Sequence, residues 1–196
     1  MKFSVTTFAV VVAFIAGSSA SPTLFARQMP SAAQINQAIQ AWQADTATVS
    51  AFLDAAANLG NFASNADFES QALTATNAEK DELTHKAVLD MEFPGQSNAQ
   101  IVQANQVLVA DNTFQNVVDQ LQEMSVLGES RASADVTNIN NDRCVHVLPC
   151  IDVYFAQGAI AAGDSGAPLT AARPAACTAI CQQQDCSCNE PVTKMF

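Results

Sequence analysis

The chain has 196 residues, six cysteines and a formal net charge of −11, and only 14% of its residues are charged. That acidic balance excludes charge-driven binding to nucleic acid or to anionic lipid headgroups, which needs clustered Lys and Arg. One Trp and one Tyr leave few platforms for stacking bases or sugars, and an alanine-rich, glycine-poor composition favours close-packed helices.

The first residues, MKFSVTTFAVVVAFIAGSSASP, predict export. Lys2 supplies a positive start, Phe8 to Ile15 is an unbroken apolar run, and Gly17, Ser18, Ser19 and Ala20 are small residues of the kind a signal peptidase reads. Residues 1–20 therefore read as a signal peptide and 21–30 as an N-terminal arm. Leu24-Phe25-Ala26-Arg27 ends on a lone basic residue. It is either a pro-peptide site cut after Arg27 or an exposed arginine, and the residues leave both readings open. No later run of eighteen apolar residues occurs, so no transmembrane helix is expected. The expected location is extracellular, where six cysteines pair as disulfides.

Pro30 precedes Ser31-Ala32-Ala33-Gln34, a capping box. Behind it Ile35, Ile39, Trp42, Val49, Phe52, Leu53 and Ala56 recur at helical spacing and predict a first amphipathic helix ending near Gly60. A second helix is expected from about Ser64–Asp67, carrying Phe68, Ala72, Ala75, Leu83, Ala87 and Met91 inward. Phe93-Pro94-Gly95 ends it. Ser97-Asn98-Ala99-Gln100 reads as a second capping box. The stripe Ile101, Ala104, Leu108, Phe114, Val117, Val118, Leu121, Met124 and Leu127 predicts one third helix, closed by Gly128. A fourth is expected from Ser130 or Ser133, with Pro149 kinking it or starting a new one.

Short connections make neighbouring helices antiparallel. The predicted fold is all-α: an antiparallel up-down four-helix bundle over residues 31–160. Residues 161–196 are a linker and a cysteine-rich tail packing on that bundle. Cys144, Cys150, Cys177, Cys181, Cys186 and Cys188 are the expected disulfide residues. Cys186 and Cys188 are too close to pair comfortably. If Cys144 and Cys150 each reach the tail, one tail–tail pair remains; a tight turn at Pro149 would instead let them meet each other.

Several motifs suggest chemistry without completing it. Gly163-Asp164-Ser165-Gly166-Ala167-Pro168 resembles the nucleophile segment of chymotrypsin-like proteases, but that chemistry needs a histidine base and an oriented aspartate. Neither His85, in LTHKA, nor His146, in CVHVL, has the family's context. Glu82-x-x-His85 is half of a carboxylate-bridged di-iron motif and lacks its second half. Glu79, Lys80, Asp81, Glu82 and Lys86 read as a solvated face with i,i+4 pairs such as Glu82–Lys86. No catalytic, cofactor-binding or metal residue is assigned, and no cofactor is expected.

The leader, the stripe INQAIQAWQADTATVSAFLDAA and the segment NDRCVHVLPCIDVYF together resemble fungal small secreted proteins. The Ala/Gln/Thr-rich helices resemble the hydrophobic-surface-binding protein family over roughly Ser31 to Leu127. That resemblance implies coating of hydrophobic surfaces and recruitment of hydrolases. The functional expectation is a secreted, non-enzymatic binding protein for a hydrophobic surface, cell-wall component, lipid or host partner. The alternative is an unrecognised secreted hydrolase using Asp164, Ser165 and His146.

Overall fold

The structure, a computed structural model, describes residues 29–95, 97–164 and 169–188. Among these the secondary structure is entirely helical. Helix α1 (Ala32–Ala56) opens with the predicted capping box. Ser31 Oγ accepts from the Gln34 N–H at 3.3 Å, and Gln34 Oε1 accepts from the Ser31 N–H at 2.9 Å. Helix α2 (Asn65–Glu92) is capped by Ser64, whose Oγ accepts from the Asp67 N–H, while Asp67 reaches back to the Ala63 N–H. Both caps satisfy amide donors that a helix start otherwise leaves unpaired.

Helix α3 (Ala99–Asn105) is capped by Asn98, which accepts from both Gln100 and Ile101. The cap is one residue later than the Ser97 box predicts. The long third helix expected through Leu127 is broken. After α3 the backbone widens into a π-turn at Gln106–Ala110 and reverses at Asn112, the one described non-glycine residue with positive φ (60°). Asn tolerates that left-handed conformation, and Thr113 fixes it by donating its hydroxyl to the Val107 carbonyl at 2.7 Å. Helix α4 (Thr113–Leu127) then runs to Gly128.

From Glu129 to Ala161 the chain is one continuous run of 33 residues: α5 (Glu129–Asp142), a π-turn (Arg143–Val147) and α6 (Leu148–Ala161). Pro149 stands in the first turn of α6, one of the two placements expected of it, without interrupting the helical run. The wide turn precedes the proline, with the Leu148 N–H bonded to the Arg143 carbonyl, so the missing proline N–H falls where the ladder is already shifted. By length and composition alone this run could cross a membrane, but over half of its most apolar window is buried within the protein.

Trp42 of α1 packs on Tyr154 and Phe155 of α6 at ring separations of 5.6 and 5.5 Å, and Phe52, Phe62 and Phe68 form a second aromatic cluster. Gly158 lets α6 approach closely; a Cβ there would meet Ile39 Cδ1 at 3.1 Å and Leu89 Cδ2 at 3.2 Å.

The segment after α6 returns as a strap. A row of polar residues four apart on α1 holds it. Thr46 Oγ1 accepts from the Ala172 N–H, Ser50 donates to the Ala172 carbonyl, and Asp54 accepts from the Ala175 N–H. Asp152 of α6 accepts from the Ala171 N–H and pairs with Arg173. Helix α7 (Ala176–Ile180) follows. All six cysteines pair: Cys144 with Cys177, Cys150 with Cys188 and Cys181 with Cys186. Both cysteines of the long helical run therefore reach the tail, and the alternative Cys144–Cys150 bond does not form.

Candidate functional site

Helix α2 departs most from its sequence reading. Glu79 and Glu82 are fully buried and Lys86 is 4% exposed, whereas Leu83, expected inward, is 40% exposed. Glu79, Glu82 and Lys86 of the expected solvated face are thus part of the core, while Lys80 and Asp81 are exposed as expected. Hydropathy alone misplaces it, because the inward register Phe68, Ala72, Ala75, Glu79, Glu82, Lys86 and Leu89 carries charges in its middle. The expected Glu82–Lys86 pair is replaced by Lys86–Asp90 at 2.7 Å.

Each buried charge on α2 has a partner on another helix. Arg143, fully buried in the π-turn, donates to Glu79 Oε2 at 2.7 Å and lies 3.7 Å from Glu82 Oε1. Trp42 donates its indole N–H to Glu82 Oε2 at 2.7 Å. Lys86 also donates to Asn105 Oδ1, and Tyr154 donates to Asp90 Oδ1 at 2.8 Å. Burial and the Asp90 charge push the Tyr154 hydroxyl upward, so it stays a donor.

One guanidinium cannot neutralise two buried carboxylates. Burial pushes Glu82 well above the ordinary carboxylate range, and the charge of Glu79 pushes it further. Glu79 is also raised by burial, but Arg143 offsets part of this. Burial and repulsion therefore weigh most against a charge on Glu82, while Glu79 is the carboxylate that meets Arg143. Glu82 is accordingly committed to the core and unavailable for the di-iron arrangement that Glu82-x-x-His85 suggested.

His85 lies where α2 leaves the core and borders solvent beside α1. It lines a groove of about 440 Å³ between the two helices. Ala38, Ala41, Val88 and Met91 form its apolar walls, Met29 and Pro30 contribute beside the start of α1, and Gln34, Gln37 and His85 supply polar groups. Ala38 and Ala41 create the space, because any longer side chain on that face of α1 would fill it. His85 Nε2 also lies 3.1 Å from Asp45 Oδ2 on α1 and 3.6 Å from Asp81 Oδ2, one turn before it on α2. Burial pushes the Asp45 carboxyl upward; His85 opposes this and the Asp81 charge adds to it.

Sequence reasoning weighed His85 only as half of a Glu82-x-x-His85 motif and assigned it no site. The usable signal was the i,i+4 spacing of Asp81 and His85; nothing in the sequence placed Asp45 beside them. Of the hydrolase candidates, Ser165 and the rest of 165–168 lie outside the described residues, as do residues 1–28 with the expected leader and Arg27. His146 is half-buried in the π-turn, and Asp164 is exposed with its N–H bonded to the Ala159 carbonyl at 2.8 Å.

These features define a disulfide-clamped helical protein with an apolar groove that ends in a small acidic cluster. Set against protein-family models, curated proteins and solved structures, the chain matches none.

Proposed function

We propose that this is a secreted, non-enzymatic binding protein that holds a small amphiphile in the groove between α1 and α2. The observation carrying this reading is the groove itself: about 440 Å³, within the size range of small-molecule sites, apolar along its walls with a few polar groups. Asp45 and Asp81 beside His85 disfavour an anionic head, so the ligand has an apolar body and a neutral or cationic head. The three disulfides are consistent with an extracellular protein. The scaffold is read as an antiparallel up-down bundle, with the long helical run as its last member. The surface-coating role implied by the resemblance to hydrophobic-surface-binding proteins is a broader version of the same activity, contact with apolar material.

The test is fluorescence titration with N-phenyl-1-naphthylamine, a neutral apolar probe. One probe should bind per chain, and dodecylamine should displace it more readily than dodecanoate. Ala41→Trp, which fills the groove from a half-exposed position, should weaken binding by about tenfold or more without a change in fold, since a pocket blocked by a large ring loses its ligand contacts. Equal affinity in the Ala41→Trp variant would overturn the assignment to this groove.

A further inference from the structure

We propose that Asp45, Asp81 and His85 form a binding site for a divalent transition-metal ion of the zinc class. The inference goes beyond amphiphile binding, for it concerns an ion and needs no ligand in the groove. Three features carry it. The first is convergence. One ligand atom from each of the three residues lies within 4.8 Å of the others, with His85 Nε2 3.1 Å and 3.6 Å from the two carboxylate oxygens. An ion held at about 2.0–2.2 Å from tetrahedral donors spaces them about 3.4 Å apart. Only a small closing of side chains is needed.

The second feature is the crowding of like charge. Asp45 Oδ2 is shut off from solvent and lies 3.1 Å from His85 Nε2, and Asp81 Oδ2 lies 3.6 Å from the same nitrogen. One imidazole thus faces two carboxylates, and a divalent cation among the three would balance their charge.

The third feature is the scaffold. Asp81 and His85 are neighbours one turn apart on α2, and Asp45 comes from the middle of α1. The donors thus sit on two packed helices, not on a loop, and are preorganised. One imidazole and two carboxylates suit zinc and its neighbours, whereas calcium takes six to eight oxygens. Three protein ligands leave a fourth position open.

The experiment uses the full secreted chain without a histidine tag, stripped with EDTA. Zinc chloride is titrated calorimetrically, magnesium and calcium serve as controls, and cobalt is followed by its visible absorption. One zinc ion per chain is expected, with no comparable magnesium or calcium binding. His85→Ala and Asp45→Asn should each weaken zinc binding by about 100-fold, the upper end of losses seen for supporting residues around metals. Asp119→Asn, an acidic surface control on α4, should leave it unchanged. A second readout needs no variant: of the two histidines, only the His85 ring nitrogens should shift in the nitrogen-15 spectrum on adding zinc. Undetectable zinc binding would overturn the proposal. So would equal affinity in the Asp119 and His85 variants' parent and His85→Ala itself, or a shift at His146 with none at His85.

Discussion

At the scale of single residues, the informative positions are charges in the wrong place for a hydropathy pattern. Glu79 and Glu82 are chemically identical and three residues apart, yet their environments separate them. Glu79 meets Arg143 at 2.7 Å, while Glu82 accepts from Trp42 and is pushed up most strongly. Glu82→Gln preserves the Trp42 contact, because its amide oxygen can accept from the indole N–H. Stability should change by less than about 0.5 kcal/mol, as when hydrogen-bonding partners are conserved. Glu79→Gln moves the required negative charge to Glu82, at 3.7 Å from the guanidinium. It should cost about 1–3 kcal/mol, the range for a buried polar group that loses its partner. Urea denaturation of the two variants checks the order, and a larger loss for Glu82→Gln would refute the view that Glu79 supplies the charge Arg143 needs.

Asp142, next to Arg143, makes a second residue-scale prediction. Burial, followed by the charge of Glu79, pushes its carboxyl up to about 7. Between its ordinary value near 4 and about 7, the folded protein keeps a proton that the unfolded chain has released. The folded state binds more protons, so stability falls as pH rises through that window and levels off on either side. Asp142→Asn should flatten the decline between pH 5 and pH 7.5 and raise the melting temperature at pH 8. Thermal melts at several pH values decide it; an unchanged slope in the variant would remove Asp142 as the cause.

At the scale of elements, what was legible depended on whether a local rule faced a competing tertiary one. The capping box of α1 and the Ser64 cap of α2 are local chemistry, and both helices start where the sequence puts them. Gly128 was likewise legible as a stop. Its φ of 68° and ψ of −155° occupy a region essentially reserved for glycine, and a Cβ there would overlap the Asn65 side chain. Asn65 in turn accepts from the Glu129 N–H at 2.8 Å, so the first residue of α2 caps the start of α5, a contact no local pattern contains. The break at Asn112 was missed although the apolar stripe changes phase there: Phe114 follows Leu108 by six residues and so lies about 120° round the helix from it, and the weak helix formers Asp111, Asn112 and Thr113 mark the same place. Pro149 looked like a breaker because the π-turn before it has no sequence signature. The inward face of α2 failed for a different reason. Its partners, Trp42 and Arg143, come from distant parts of the chain, and burial of charge depends on partners rather than on periodicity.

For the whole molecule, the disulfides divide the chain into a helical body and a fastened tail. Cys144 and Cys150 lie in the long helical run, and their partners Cys177 and Cys188 lie in the tail, which Cys181–Cys186 closes into a small loop. No disulfide joins α1, α2, α3 or α4 to anything else. The body is instead held by its apolar core and by the Trp42–Glu82, Arg143–Glu79 and Tyr154–Asp90 bonds between helices. Reduction should therefore release the tail while most helical circular dichroism persists. Each bridge lost should cost about 2–4 kcal/mol, mainly by freeing the unfolded chain. The strap hydrogen bonds to Thr46, Ser50, Asp54 and Asp152 should delay that release without preventing it, because each contributes only about 1 kcal/mol net once the covalent anchors are gone. Limited proteolysis followed by mass analysis should show cleavage after α6 in the reduced protein and protection in the oxidised one. Cooperative loss of all helical signal on mild reduction would instead mean that the tail is part of the folding unit rather than a clamp upon it.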